Sequence, residues 1–257
     1  MKISLGLDDS VKVGKIGAST GGGTPQSAPT AAMGFRAYWQ AMDGTKVYSD
    51  AGVTLATNGQ GAYRLAESLG VVANSYFEQT TAGQRPIYTT GGAGGKSYLL
   101  FDPIDDNMVS LATSNFFANN AKTLILAGNT YDGITDAGVM VRDASTYWDV
   151  RARGTDPYSV RMRNYDGSYD ESTGAAIVLG TPFVYVAKHS GGNLYDAVNG
   201  VSWSAAVASG NTSVLTTLFN LRPTRWHFYA YAVANVVVSD ANIALVVNYL
   251  KSQLGIV

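Results

Sequence analysis

FYAYAVANVVVSDANIALVVNYLKSQLG, residues Phe228–Gly255, is the one uninterrupted run in which the apolar spacing changes from a period of two to about 3.6. Alternation over Phe228–Val238 puts Phe228, Ala230, Ala232, Ala234, Val236 and Val238 on one face, and Tyr229, Tyr231, Val233, Asn235 and Val237 on the other. Both faces are apolar, which predicts a central strand. Ser239 then offers a hydroxyl as N-cap, and Asp240 suits the positive end of the helix dipole. Ile243, Val246, Val247, Leu250 and Leu254 make one stripe, and Gly255 supplies the stop. The stripe predicts a helix laid on the outer side of a sheet.

Upstream, short alternating runs follow one another: KTLILAG from Lys122, AGVMVRD from Ala137, YWDVRAR from Tyr147, YSVRMRN from Tyr158, PFVYVAK from Pro182 and SVLTTLF from Ser213. Asx-Gly pairs at 43–44, 58–59, 132–133, 166–167 and 199–200 tolerate the positive φ of tight turns. Strands at this spacing, with no fixed-period repeat, predict an all-β antiparallel sandwich or barrel carrying one C-terminal amphipathic helix.

The chain of 257 residues reads as one domain, residues 34–257, preceded by an arm, residues 1–33. After a short candidate strand, KISLGL, the arm becomes GASTGGGTPQSAPTAAMG, too poor in large side chains to build a core, and is expected to be flexible or to order only in an assembly. Apolar residues are 46% and charged residues 14% of the chain, so a large core is available. A net charge of -1 gives no general pull toward nucleic acid. The absence of cysteine excludes a disulfide framework and thiolate chemistry, and no apolar run reaches the length of a bilayer span. Neither nucleic-acid binding nor membrane insertion is expected.

Three ordered fragments carry a resemblance. Trp39–Asp43, Gln79–Tyr88 and Leu100–Asp102 with Asp105-Asp106, followed by Asn199-Gly200-Val201 and the closing strand and helix, resemble laminin-G-like domains of the concanavalin A-like lectin-glucanase superfamily. The resemblance spans most of Phe35–Gly255 and implies a jelly roll, with the hairpin before an outer strand at Asn199-Gly200. Versions with this Gly-rich start and helix occur in tail and other virion proteins of bacteriophages. It therefore implies a non-enzymatic virion component, tail or head decoration, present in several copies and assembled in the host cytoplasm. Its partners would be other virion proteins, reached through the arm, and a host glycan; a pure adhesin is the alternative reading. Pro103 departs from the glycine that usually follows Phe-Asp in the family.

Several constellations invite chemistry. Thr90–Ser97 nearly spells a phosphate-binding loop, but the first glycine is Thr90 and SYLLFDP reads as a strand where the motif needs a helix, so a flexible Gly-rich loop is expected. Asp102, Asp105 and Asp106 offer oxygens that suit calcium or, equally, turn stabilisation; no other cofactor is expected. Glucanases of the resembled superfamily use E-x-D-x-x-E carboxylates on one strand, and no such run exists here; Asp170-Glu171 reads as part of a polar turn. His189 and His227 lack a nucleophile elbow and are too few for zinc.

Arg151 and Arg153 share a strand face with Tyr147 and Asp149, and Arg161 and Arg163 share the corresponding face of the next strand. If residues 154–157 form the turn, four arginines meet. They are then either neutralised locally, by Asp149, Asp166 and Asp170, or poised for an anionic glycan or subunit. Tyr195 and Trp203, near a hairpin, are the candidates for stacking on a sugar ring, with ordinary packing as the other reading.

Overall fold

The computed structural model describes residues 24–72, 75–111, 122–130, 138–143, 149–153, 158–165, 169–209, 219–221 and 225–257. Within them the strands form two antiparallel sheets. The first has eight strands, in the order Val207–Ala208, Asn193–Val198, Phe183–Ser190, Lys122–Thr130, Trp226–Ala234, Tyr98–Phe101 and Ile87–Thr89, with Phe35–Gln40 also paired to Trp226–Ala234. The second has ten, in the order Tyr169–Glu171, Ser159–Tyr165, Asp149–Arg153, Gly138–Asp143, Phe219–Leu221, Met108–Leu111, Tyr76–Glu78, Arg64–Ala66 and Val47–Tyr48, with Ala175–Ala176 against Ser159–Tyr165. The inner faces meet in one core, to which Trp39, Phe101, Tyr185, Trp226 and Tyr231 contribute from the first sheet and Phe77, Met140, Val150 and Met162 from the second. This is the expected all-β sandwich.

Trp226–Ala234 is central, pairing with Lys122–Thr130, Tyr98–Phe101 and Phe35–Gln40. Its alternation is interrupted. The register against Lys122–Thr130 shifts between Phe228 and Ala230, a bulge at Tyr229. Phe228 therefore points between the sheets with Tyr231 and Val233, while Tyr229, Ala230, Ala232 and Ala234 face the helix. The uninterrupted period that groups Phe228 with Ala230 fails because one inserted residue reverses the faces. The strand also ends at Ala234, short of Val238. Beyond it the Thr123 hydroxyl donates to the Val236 carbonyl and accepts from the Val238 N–H, each at 3.0 Å, which satisfies backbone that no neighbouring strand reaches.

The helix runs Asp240–Leu254, with Ser239 Oγ accepting from Asn242 N and Gly255 closing it at φ 67°. Ile243, Val246, Val247, Leu250 and Leu254 are buried against Ile125, Ala127, Val184, Val186 and the three alanines of the central strand, so small side chains on the sheet admit the helix closely. Two further segments depart from expectation. Residues 25–27 lie along the helix, with Ser27 N donating to Leu245 O at 3.1 Å and Asn248 Nδ2 to Pro25 O at 3.1 Å, so the arm is docked from there on. The candidate strand KISLGL lies outside the described residues. The Gly-rich loop forms a short 3₁₀ turn, Ala93–Gly95, under the helix C-terminus. Gly94 has φ 59°, and a Cβ there would collide with the Gln253 carbonyl. Gly92 and Gly94 serve close packing, and the strand Tyr98–Phe101 follows the turn.

Asn199-Gly200 is not a hairpin turn. The chain reverses at Gly191-Gly192, φ 57° and 75°, between Ser190 and Asn193, while Asn199 ends the second strand at φ 57° and accepts Val184 N through Oδ1 at 2.8 Å. The hairpin implied at 199–200 thus moves eight residues upstream, where two glycines meet the φ requirement at lower cost than Asn-Gly. Among the described residues a polar bridge crosses the apolar interior: Ser172 Oγ accepts Met162 N and donates to Asp196 Oδ2 at 2.5 Å, and Tyr185 Oη donates to the same oxygen at 3.4 Å. All three side chains are buried.

Candidate functional site

Asp149–Arg153 and Ser159–Tyr165 pair with Arg151 opposite Arg161 and Asp149 opposite Arg163, so the four arginines share the outer face of the second sheet. The connecting turn, Tyr147 and Asp166 lie outside the described residues. Asp149 has no exposed surface; it accepts from Arg151 through both oxygens, at 2.8 and 2.7 Å, and from Arg163 Nη2 at 2.6 Å. Glu171 stands 3.4 Å from Arg153 Nη1 and 3.9 Å from Arg161 Nη1. It belongs to a strand, Tyr169–Glu171, and not to a turn, because its register places it opposite Arg163. Arg151 and Arg163 retain only 11% and 15% side-chain exposure, and Arg153 is the most open at 42%. Cross-strand repulsion is thus met from within, by Asp149 as the alternation predicts and by Glu171, which the reading as a turn passes over.

Tyr195 lies directly across the hairpin from Lys188, on the outer, helix-bearing side of the first sheet. Lys188 Nζ sits 3.8 Å over the Trp203 ring and 5.5 Å from the Tyr195 centroid. Asp240, at the helix start, accepts from Lys188 Nζ at 2.9 Å and from Trp203 Nε1 at 3.0 Å. The bond from Lys188, with that from Trp203, holds the Asp240 carboxyl below the usual carboxylate range. The structure therefore brings Tyr195 and Trp203 together around a cation. Sequence reasoning missed Lys188 and Asp240, although the hairpin register, once its turn is placed at 191–192, gives the Lys188–Tyr195 pairing. The ammonium occupies one face of the indole, leaving the half-buried Tyr195 ring at the rim.

Asp102, Asp105 and Asp106 do converge, with one carboxylate oxygen of each within 4.8 Å of the others. Asp102 Oδ1 accepts the Ile104 and Asp105 N–H groups, and Asp106 Oδ2 accepts that of Asp102. These bonds fix the turn that Pro103 enters. Burial, reinforced by Asp102 and Asp105, pushes the Asp106 carboxyl up to about 6. His189 is buried, and His227 stacks on Tyr98 at 3.9 Å between centroids; burial lowers His227 to about 4. Among the described residues no helix is long and apolar enough to cross a membrane.

No protein-family model and no curated protein matches the chain. Solved structures do. Domain 4 of AbnA, a GH43 extracellular arabinanase from Geobacillus stearothermophilus in complex with arabinotriose, superposes with a TM-score of 0.58 at 10% identity, over 83% of this chain and 98% of that domain. The binding domain of botulinum neurotoxin serotype D gives 0.58 at 8% identity, over 84% of this chain and 51% of that one. An arabinofuranosidase complexed with arabinofuranosyl-alpha-1,2-xylobiose gives 0.57 at 11% identity, over 90% and 60%. The chain thus spans about half the length of the toxin fragment and nearly all of the arabinanase domain. At these identities the likeness is one of fold, a β-sandwich shared with lectin-like and glycosidase-type domains.

Proposed function

We propose that this chain is a non-catalytic glycan-binding domain borne by a structural protein of a bacteriophage virion. The observation that carries the glycan part is the superposition on 98% of an isolated domain solved with a bound oligosaccharide. The virion part is supported by the laminin-G-like fragments together with the Gly-rich start and closing helix. Against catalysis stands the use already made of the carboxylates: Asp149 and Glu171 neutralise arginines, Asp196 bridges the sheets, and Asp102 and Asp106 hold a turn. The residues before the docked segment at 25–27 are assigned to contacts with other virion proteins, on the Gly-rich start that the resemblance associates with such proteins.

The purified chain, applied to an array of host-surface polysaccharides, is expected to be retained by at least one glycan and to release no reducing sugar. Release abolished by one carboxylate substitution would make it a hydrolase; retention by no glycan would end the glycan reading. Protein analysis of purified particles is expected to find the chain, and deletion of residues 1–23 to leave the domain folded but absent from particles. Normal incorporation of the truncated chain would remove the anchoring role.

A further inference from the structure

The two ends of the arginine face are neutralised to different degrees. At the closed end Asp149 accepts from Arg151 at 2.8 and 2.7 Å and from Arg163 at 2.6 Å, and both guanidinium groups are largely covered. At the open end one carboxylate, Glu171, stands between two guanidinium groups and reaches neither closely. Arg153 Nη1 lies 3.4 Å from one of its oxygens, and Arg161 Nη1 lies 3.9 Å from the other. The first distance is long for a charge-assisted hydrogen bond, and the second is too long for any. Strand order explains the gap. Glu171 is directly opposite Arg163, so it meets Arg161 only on the diagonal and Arg153 only across an intervening strand. Two cations facing one anion leave an excess of positive charge at this end.

The same two groups are reachable from solvent. Arg153 and Arg161 keep 42% and 26% of their side-chain surface exposed. Arg161 is also held in place: its Nε donates to Ser159 Oγ at 3.2 Å, and Gly174, at φ 91°, passes so close that a Cβ there would come within 2.5 Å of that nitrogen. The terminal nitrogens of Arg161 form no hydrogen bond among the described residues, nor do Nε and Nη2 of Arg153. A guanidinium with open N–H groups presents the planar fork that a carboxylate or sulfate accepts, and a group already held in place loses little freedom on binding. We propose that the open end of this face, Arg153 and Arg161, binds the anionic group of an acidic saccharide. The inference rests on the reading of the chain as a glycan-binding domain and gives that reading a sugar class. Excess charge and unused donors both select an anion, whereas a neutral sugar gains nothing from the charge.

The test is biolayer interferometry of the full chain on immobilised polygalacturonate, polysialate and heparin, with dextran and carboxyl-reduced polygalacturonate as neutral comparators, at about 0.02 M and about 0.5 M salt. At least one acidic polymer is expected to hold the wild type at low salt and release it at high salt, and neither neutral polymer to hold it. Arg153→Ala combined with Arg161→Ala should weaken that binding about tenfold or more. Glu171→Gln should strengthen it about threefold, because it removes the carboxylate that competes for both guanidinium groups. A gain in binding cannot come from damage to the fold, so this variant separates a binding role from a structural one. Equal binding by the double variant and the wild type, or no gain from Glu171→Gln, would overturn the assignment, as would equal retention on the acidic and neutral polymers. If no acidic polymer holds the wild type while the polysaccharide array retains it, the acidic class falls and the glycan reading stands. If the array retains nothing, both fall together.

Discussion

Arg163 Nη2 stands 2.6 Å from Asp149 Oδ2, and that same oxygen accepts Arg151 Nη2 at 2.7 Å. One carboxylate with no exposed surface thus serves two guanidinium groups that are themselves largely covered. Removing one partner of such a group leaves charge buried without compensation. Asp149→Ala is expected to cost about 3–5 kcal/mol in urea denaturation. Arg153→Ala, at the open end of the face, should cost no more than about 1 kcal/mol. Equal effects of the two would show that Asp149 does not organise the face.

Asp106 and His227 respond to pH with opposite signs. The Asp106 carboxyl is raised to about 6 in the fold, so the folded state binds more protons than the unfolded one from about pH 4 to 6. Its contribution is fully present below the unfolded value and is lost as pH rises through 6. His227 is lowered to about 4, so its contribution is present above about 6.5 and is lost as pH falls through 4. Asp106→Asn, measured with a chelator present, should stabilise the protein at pH 7 by on the order of 2 kcal/mol and do nothing at pH 3. His227→Gln should flatten the loss of stability between pH 6.5 and 4. An Asp106→Asn gain that is the same at both pH values would place its cause outside titration.

Leu250 is buried in the apolar layer between the helix and the first sheet, and Leu250→Ala leaves a void there. A loss of about 2–5 kcal/mol is expected, read as a lower midpoint of thermal unfolding. A melt matching the wild type would mean that the helix does not pack as described.

Gly94 and Gly59 both have positive φ, but only Gly94 faces backbone, since a Cβ on Gly59 meets nothing within 4 Å. Gly59→Ala should cost about 1–2 kcal/mol, the strain of the left-handed conformation alone. Gly94→Ala should cost clearly more, because the helix C-terminus must also retreat. Denaturation curves that superimpose for the two variants would contradict that close approach.

The helix was legible because stripe, cap and stop are local signals that all agree at Ser239–Gly255. The sheet architecture was legible from alternation and turn residues. What escaped were features decided by a partner strand. The bulge at Tyr229 follows from pairing with Gly128 and Ala127, and no pattern in the central strand announces it. The turn at Gly191-Gly192 competed with Asn199-Gly200, and strand register chose between them. For the site, alternation placed the arginines on one face, but the balancing role of Glu171 and the ammonium over Trp203 depend on contacts 18 and 15 residues apart in sequence.

The bridge from Met162 through Ser172 to Asp196 has a further consequence. Two apolar sheet faces in contact can slide past one another by a residue pair with little change in the area they hide from water. A hydrogen bond of 2.5 Å cannot follow such a slide. Ser172 is tied to the second sheet by exchanging bonds with Met162, and Asp196 is fixed within the first by its exchange with Ser204. The pair therefore acts as a dowel between two plates. Greasy contact makes the plates adhere, and this polar contact, together with the backbone bridge between Trp39 and Glu67, holds them in one alignment.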